Sequence, residues 1–104
     1  MIVLVLTTVG ADFDARALAH ALVESRVAAC VNIVPAVHSV YRWEGRVAED
    51  GEQLLLIKTS EARLGELRLA LFELHPYDVP EFVVMPVGET SEAYGAWLLE
   101  SVAP

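Results

Sequence analysis

The sequence has few cysteines, few basic residues and no long hydrophobic run, and each scarcity excludes a class of protein. Its only cysteine, Cys30, rules out an intrachain disulfide framework and is typical of a reducing compartment, so we expect a cytoplasmic protein. No segment approaches the roughly twenty apolar residues that a membrane helix requires. The apolar residues 1–6 lack a basic flank and a cleavage motif, which favours a first strand over a signal peptide.

Positive charge is scarce as well. Seven bases stand against fifteen acids, which gives a formal net charge of −8 at pH 7. The bases are scattered along the chain, which argues against a surface that binds nucleic acid or an anionic membrane. The excess of acid lies in residues 44–104, which hold twelve acids and four bases. A cationic partner is therefore electrostatically allowed.

Sequence motifs of the common nucleotide-binding and hydrolytic enzymes are absent. No glycine-rich fingerprint follows the first apolar run, and the chain has no phosphate-loop lysine, no G-x-S-x-G and no H-E-x-x-H. No serine lies in a visible acid–base constellation, and the serines have ordinary capping or surface interpretations. We expect a protein that is not an enzyme.

The hydrophobic pattern predicts seven secondary-structure elements in a chain that is 55% hydrophobic. Strands are expected at residues 2–8, 30–43, 52–59 and 81–87, and helices at 13–26, at 60–74 and after residue 91. Asp12 is the predicted cap of the first helix. The order βαββαβα describes an α+β protein, a ferredoxin-like βαββαβ sandwich with a C-terminal helix, which places both long helices on one face of an antiparallel sheet. We expect residues 1–104 to form a single domain.

Two prolines support this topology. Pro35 and Pro86 fall in the second and fourth predicted strands, which form the edges of the sheet in that fold. Proline cannot donate a hydrogen bond to a neighbouring strand and is best tolerated at an edge. The hairpin between the second and third strands has two turn signals, Glu44-Gly45 and Asp50-Gly51, so its register stays open.

Three of the predicted strands are apolar on both faces. Residues 2–6, 54–57 and 82–85 do not alternate between apolar and polar side chains, although a sheet with one face in water should. The final helix is too short to cover the second face, so self-association is expected. Tyr41 and Trp43 lie far along an edge strand and could add to a neighbour's sheet, or could cap the local core instead.

The segment from His75 to Glu81 carries the most chemistry. It holds an imidazole, a phenol and two carboxyl groups, and its two prolines stiffen the link into the last strand. These groups suit a divalent metal or a small polar ligand. The alternative is a plain connector in which His75 interacts with the end of the preceding helix.

Cys30 and Lys58 are the other candidates. Cys30 is the only strong soft ligand for a metal such as copper, although a free cysteine is more often a core residue. Because no C-x-x-C motif or paired histidines occur, any metal site would be sparse or shared between subunits. Strand parity places Lys58 beside Leu54 and Leu56, where its ammonium group needs an anion or a route to solvent.

Four segments together resemble the CutA divalent-cation tolerance family. They are residues 28–33 (AACVNI), 39–45 (SVYRWEG), 52–59, and His75-Pro76-Tyr77 followed by Pro80-Glu81. The resemblance covers almost the whole chain, and the fixed order of the four segments is more specific than any one of them.

The resemblance implies a ferredoxin-like subunit in a homotrimer similar to the PII signalling proteins, and a role in tolerance to copper and other divalent cations. By position, it implies metal binding by Cys30, His75 and Glu81, and a cleft between subunits lined by Tyr41, Trp43, Lys58 and Tyr77. Two other functions stay open. One is a PII-like signalling module that binds a small anion at Lys58, and the other is a trimeric scaffold for a protein partner.

Overall fold

A computed structural model describes all 104 residues and confirms the predicted order of elements. The elements are β1 (Ile2–Gly10), α1 (Ala15–Glu24), β2 (Cys30–Trp43), β3 (Arg46–Ser60), α2 (Leu64–Leu74), β4 (Val83–Pro86) and α3 (Glu92–Ser101). A short 3-10 turn, Glu61–Arg63, precedes α2. None of the helices is long and apolar enough to cross a membrane.

The four strands form one sheet in the order β2-β3-β1-β4, and every neighbouring pair is antiparallel. The two edges are the strands that contain Pro35 and Pro86, as the sequence predicted. Pro35 lies where the pairing of β2 with β3 shifts between Val34 and Val37, so a bulge accommodates its missing N–H group. The fold is therefore the expected α+β, ferredoxin-like sandwich.

The hairpin formed by β2 and β3 is longer than the sequence indicated. The chain reverses at Glu44 and Gly45, whose φ angles are +50° and +78°, and Asp50-Gly51 lies inside β3. Strand β1 pairs with β3 only as far as Glu52, so beyond that row the hairpin has two strands. Residues 38–51, called the hairpin arm below, extend the molecule to a length of 44 Å.

Helix α1 begins later than expected because a different carboxylate caps it. Asp14, rather than Asp12, accepts a hydrogen bond from the backbone N–H of Ala17 at 3.0 Å. The final helix begins at the predicted position, where the hydroxyl of Ser91 accepts from the N–H of Tyr94. Each cap satisfies one N–H group that the first turn leaves without a partner.

One face of the sheet packs against both long helices. Fully buried side chains of α1 and α2 meet those of the central strands, and the main members of this core are Val5, Val9, Leu18, Leu22, Leu55, Ile57, Leu67 and Leu71. Burying each of these side chains contributes about 1.5–3 kcal/mol. The core therefore fixes which parity of each strand faces the helices.

The opposite face carries no second layer across most of its width. This open face consists of Leu4, Leu6, Leu54, Leu56, Val83 and Met85. The four leucines are half-buried, while Val83 and Met85 are 46% and 45% exposed. Helix α3 covers only the end near Ile2, where Leu98 and Val102 pack with Ala29. A single chain thus leaves an apolar surface in water, as the strand pattern predicted.

Candidate functional site

A cleft of about 1020 Å³ lies between the hairpin arm and the segment that follows α2. Its charged and aromatic lining consists of Asp50, Glu52, Asp78, Glu81, Tyr41, Trp43, Tyr77 and His38. No lysine or arginine lines it, so the only basic group there is an imidazole. We call this surface the acidic cleft.

His75, where α2 ends, lies behind Tyr77, which lines the acidic cleft. Because Pro76 disfavours helical geometry in the residue before it, His75 is extended, with ψ at 136°. The imidazole is 7% exposed. Its Nε2 lies 2.9 Å from the carbonyl oxygen of Thr8 and 3.1 Å from the hydroxyl of Thr7. Its Nδ1 accepts the backbone N–H of Tyr77 at 3.1 Å.

These contacts fix which nitrogen of the neutral His75 ring carries its proton. Since Nδ1 accepts from an N–H group and Nε2 faces a carbonyl oxygen, the proton of the neutral ring resides on Nε2. Burial lowers the pKa of His75 and outweighs the opposing hydrogen bond to Thr8 and the charge of Glu52. Both ring nitrogens are engaged, so metal ligation by this imidazole requires the hydrogen bond from Tyr77 to break.

Tyr77 connects the segment after α2 to the sheet. Its hydroxyl donates to Oε2 of Glu52 at 2.5 Å, and its ring packs edge-on against His75 with centroids 4.9 Å apart. Burial, together with the carboxylate of Glu52, raises the pKa of Tyr77, so the phenol keeps its proton and acts as a donor. Glu52 is only 7% exposed and this hydroxyl is its donor.

A second tyrosine–carboxylate pair lies on the hairpin arm. The hydroxyl of Tyr41 donates to Oδ2 of Asp50, and this hydrogen bond is the main reason that the pKa of Tyr41 is raised. Trp43 lies two residues further along the same strand and is 54% exposed. The arm therefore presents aromatic surface and a carboxylate to the acidic cleft.

Negative charge accumulates at the inner end of the cleft. Partial burial raises the pKa of Glu81, and the charge of Glu52 raises it further. Carboxylates that interact in this way repel each other when both are ionised, and a nearby cation would offset that repulsion. The electrostatics of the cleft therefore favour a bound cation.

The structure gathers some of the predicted site residues and separates others. Tyr41, Trp43, Tyr77 and Glu81 line the acidic cleft, and His75 lies behind Tyr77. Cys30 lies elsewhere: it pairs across the sheet with Lys58, in the row of Leu4.

Sheet register keeps Cys30 away from the other two predicted metal ligands. Thr8, which His75 contacts, is four residues beyond Leu4 on β1, a distance of about 14 Å along the strand. Nowhere in the chain do three His, Cys, Asp or Glu side chains come close enough to hold one metal ion. A complete metal site thus requires ligands from outside a single chain.

Lys58 has an aromatic partner rather than an acidic one. Its Nζ lies 3.3 Å from the hydroxyl of Tyr94 and 5.6 Å from the centre of that ring. The nearby acids of the sequence, Asp78 and Glu81, lie in the acidic cleft, which Lys58 does not line. The partner comes from helix α3, whose start the sequence predicted but whose packing against the sheet it did not.

Sequence reasoning missed the residues that define the floor of the cleft. Glu52 appeared only as the start of a strand, and Asp50 only as a turn signal. Thr7, which contacts His75, was part of an apolar run. The one available signal was the cluster of acids at residues 49–52, which is unusual in a paired strand.

Comparison with known proteins gives a consistent family. The model of the CutA1 family, divalent ion tolerance protein, matches residues 3–101. The divalent-cation tolerance protein CutA of Thermus thermophilus is 50% identical over 97 residues, which cover 93% of this chain and 94% of that protein. The chloroplastic protein CutA of Arabidopsis thaliana is 45% identical over 83% of this chain, and the match spans about half (47%) of that longer protein.

Solved structures agree with the sequence comparison. The divalent cation tolerance protein of Thermus thermophilus has a TM-score of 0.94 at 48% identity, covering 99% of this chain and 100% of that one. The PII-like protein CutA from Nostoc, in apo form, has a TM-score of 0.89 at 34% identity, covering 97% of each chain. Family match, sequence identity and fold therefore agree, and this chain belongs to the CutA1 family of divalent ion tolerance proteins.

Proposed function

We propose that this chain acts in divalent-cation tolerance as a homotrimer that binds copper or a similar cation where the acidic clefts meet neighbouring copies. The observation that carries the proposal is the lining of the cleft, which holds four carboxylates and neither lysine nor arginine. Carboxylate oxygens bind divalent cations, and an imidazole such as that of His38 favours copper or zinc. The names of the relatives agree with this chemistry.

Two uncovered surfaces of the single chain also support the proposal. The open face leaves Val83 and Met85 nearly half exposed, and the hairpin arm extends beyond the sheet as two strands whose outer edge is unpaired. Both features are buried when copies pack face to face and edge to edge. Because one chain does not gather three metal ligands, a neighbouring copy would complete the site.

The three predicted metal ligands differ in how readily they can reach a cation in the acidic cleft. Glu81 lies in the acidic cleft and offers an oxygen directly. Cys30 takes part only through another copy, since the sheet separates it from the cleft of its own chain. His75 takes part only if its Nδ1 gives up the hydrogen bond from Tyr77.

The other predicted properties belong to the same proposal. A single domain over residues 1–104, a cytoplasmic location and the absence of enzymatic activity fit a small cation-binding protein. One structural relative, from Archaeoglobus fulgidus, is described as periplasmic, so the location needs its own test, for which fractionation of the source cells is suitable.

A signalling module that binds a small anion is the second candidate, and the description of the Nostoc protein as PII-like favours it. Its predicted cation, Lys58, lies outside the acidic cleft and beside Tyr94. A thermal-shift screen of nucleotides and carboxylates tests it, because a ligand at 100 times its dissociation constant stabilises a protein by about 2.7 kcal/mol. If anions give no shift, a scaffold for a protein partner is the remaining alternative.

Calorimetric titration with Cu²⁺ and Zn²⁺ tests the main proposal. We expect Glu81→Gln to weaken binding, while Glu24→Gln, which removes an exposed acid at the end of α1, leaves it unchanged. Cys30→Ser and His75→Gln report on the other two predicted ligands, and either residue is excluded if its variant binds as tightly as the parent. A parent protein that binds neither metal contradicts the proposal.

A further inference from the structure

We infer that His75 is a positioning residue of the acidic cleft and not a ligand of the cation proposed to bind there. Its imidazole holds the backbone of Tyr77, and Tyr77 in turn holds the carboxylate of Glu52. The family resemblance implies a different role, in which Cys30, His75 and Glu81 bind the metal. The cation itself belongs to the proposed function, on which this inference rests.

His75 has no ring nitrogen free for a metal ion. An imidazole binds a metal through an unprotonated nitrogen, and Nε2 carries its proton toward the carbonyl oxygen of Thr8 at 2.9 Å. The lone pair of Nδ1 already accepts the backbone N–H of Tyr77 at 3.1 Å. The other tautomer would point two N–H groups at each other. Because His75 is only 7% exposed, an ion could reach Nδ1 only by displacing Tyr77.

The polar groups around the imidazole are hydrogen-bond partners rather than ligands for copper or zinc. They are the hydroxyl of Thr7, the carbonyl oxygen of Thr8 and the N–H of Tyr77. Copper and zinc prefer imidazole and thiolate ligands, yet the row of Cys30 lies about 14 Å along the sheet from Thr8. The chain gathers no three His, Cys, Asp or Glu side chains around one point. The surroundings of His75 therefore suit a neutral, hydrogen-bonded histidine.

The hydrogen bond from Tyr77 to His75 sets the direction of the chain after α2. Pro76 has no N–H group, so the N–H of Tyr77 is the first donor beyond the end of the helix. Nδ1 accepts it from two residues along the chain, as the side-chain oxygen of an asparagine does when it closes a turn. The turn brings the hydroxyl of Tyr77 within 2.5 Å of Oε2 of Glu52.

Glu52 is the group that this arrangement serves. It lines the acidic cleft although it is only 7% exposed, and a buried carboxylate that loses its donor is destabilised. Its donor is the hydroxyl of Tyr77, whose own position depends on His75. His75 therefore acts on the cleft through Tyr77 and Glu52, without contact between the imidazole and the cation.

Nitrogen NMR of the full, isotope-labelled chain tests this role. We expect the neutral ring of His75 to carry its proton on Nε2, with a scalar coupling across the hydrogen bond between Nδ1 and the amide nitrogen of Tyr77. Both features should persist at saturating Zn²⁺, which is diamagnetic and readily binds imidazole. Loss of the coupling together with a shift of the ring nitrogens on Zn²⁺ binding would make His75 a ligand and overturn the inference. A proton on Nδ1 of the neutral ring would overturn it as well.

Two conservative variants separate the two nitrogens. His75→Asn keeps an acceptor for the N–H of Tyr77, because asparagine before proline closes the same turn. His75→Gln keeps a donor at the distance of Nε2 but has no acceptor at the place of Nδ1. Hydrogen exchange of the Tyr77 amide should be about tenfold faster in His75→Gln, because one hydrogen bond is lost, and unchanged in His75→Asn. The carboxylate carbon resonance of Glu52 should move only in His75→Gln.

The control for these variants is His20→Asn, at an exposed position of α1, which should change neither signal. Equal exchange of the Tyr77 amide in His75→Asn and His75→Gln contradicts the positioning role. If neither variant folds, the tautomer and the coupling in the parent decide the question. A parent that binds neither Zn²⁺ nor Cu²⁺ rejects the proposed function alone, since the tautomer, the coupling and the variants still test His75 without a metal.

Discussion

Nδ1 of His75 accepts a hydrogen bond from the backbone N–H of Tyr77, and this contact aims the phenol of Tyr77 at Glu52. The imidazole is itself held by the carbonyl oxygen of Thr8, so the segment after α2 is tied to the end of β1. A connected series of hydrogen bonds, from Thr8 through His75 and Tyr77 to Glu52, therefore holds this side of the acidic cleft in place.

Replacing His75 with alanine should destabilise the fold. The change removes hydrogen bonds to Thr7, Thr8 and Tyr77 and opens a cavity, and buried changes of this kind cost about 2–4 kcal/mol. Urea unfolding at fixed protein concentration measures the loss. His20→Ala, on an exposed position of α1, is the control, and equal losses in the two variants would contradict the role given to His75.

Stability should also depend on pH through His75. Its pKa is lowered in the folded chain, so the unfolded chain binds the proton more readily as the pH falls below about 6.5. The contribution is therefore fully present above that pH and is lost below it.

The measurement compares free energies of unfolding from pH 7.5 to 5.5. We expect His75→Gln to flatten the decrease relative to the parent, while His20→Gln does not. The comparison with the parent is essential because Glu81, whose pKa is raised, contributes in the opposite direction as the pH falls. An unchanged slope in His75→Gln would show that this imidazole does not titrate differently in the two states.

The two tyrosine–carboxylate pairs should differ in energy. Tyr77→Phe leaves Glu52 buried without its donor and should cost about 1–3 kcal/mol. Tyr41→Phe removes a similar contact to the exposed Asp50 and should cost much less, because both groups lie at the surface. Chemical denaturation of both variants provides the comparison. A larger loss for Tyr41→Phe would mean that the arm, not the sheet end, is the rigid part of the cleft.

A charge on the open face should prevent assembly. Met85→Asp places a carboxylate on an apolar surface that is 45% exposed in one chain and that the trimer would bury. Sedimentation velocity should then report a particle of 11.4 kDa instead of a trimer. Leu69→Asp, at a 73% exposed position on the outer side of α2, is the control and should leave the proposed trimer intact. A parent protein that is already monomeric at micromolar concentration would rule out the shared cleft.

The sequence alone determined the order of elements, the edge strands and the two apolar faces of the sheet. Each follows from local patterns, since proline removes a donor wherever it stands and a strand's side chains alternate between two faces. The predicted self-association rests on the same local pattern. The family could also be recognised from the sequence, because its motifs are short segments whose order can be read without knowing any contact.

Only the tertiary structure decided the register of the β2–β3 hairpin and the side-chain contacts that this register allows. Gly45 takes the turn and Asp50-Gly51 becomes strand because pairing along the whole hairpin outweighs a local turn preference. That register places Glu52 at the row where Tyr77 can reach it, and sets Cys30 about 14 Å along the sheet from the row His75 contacts. Contacts between residues far apart in sequence depend on the cooperative packing of every element between them, which no local pattern encodes.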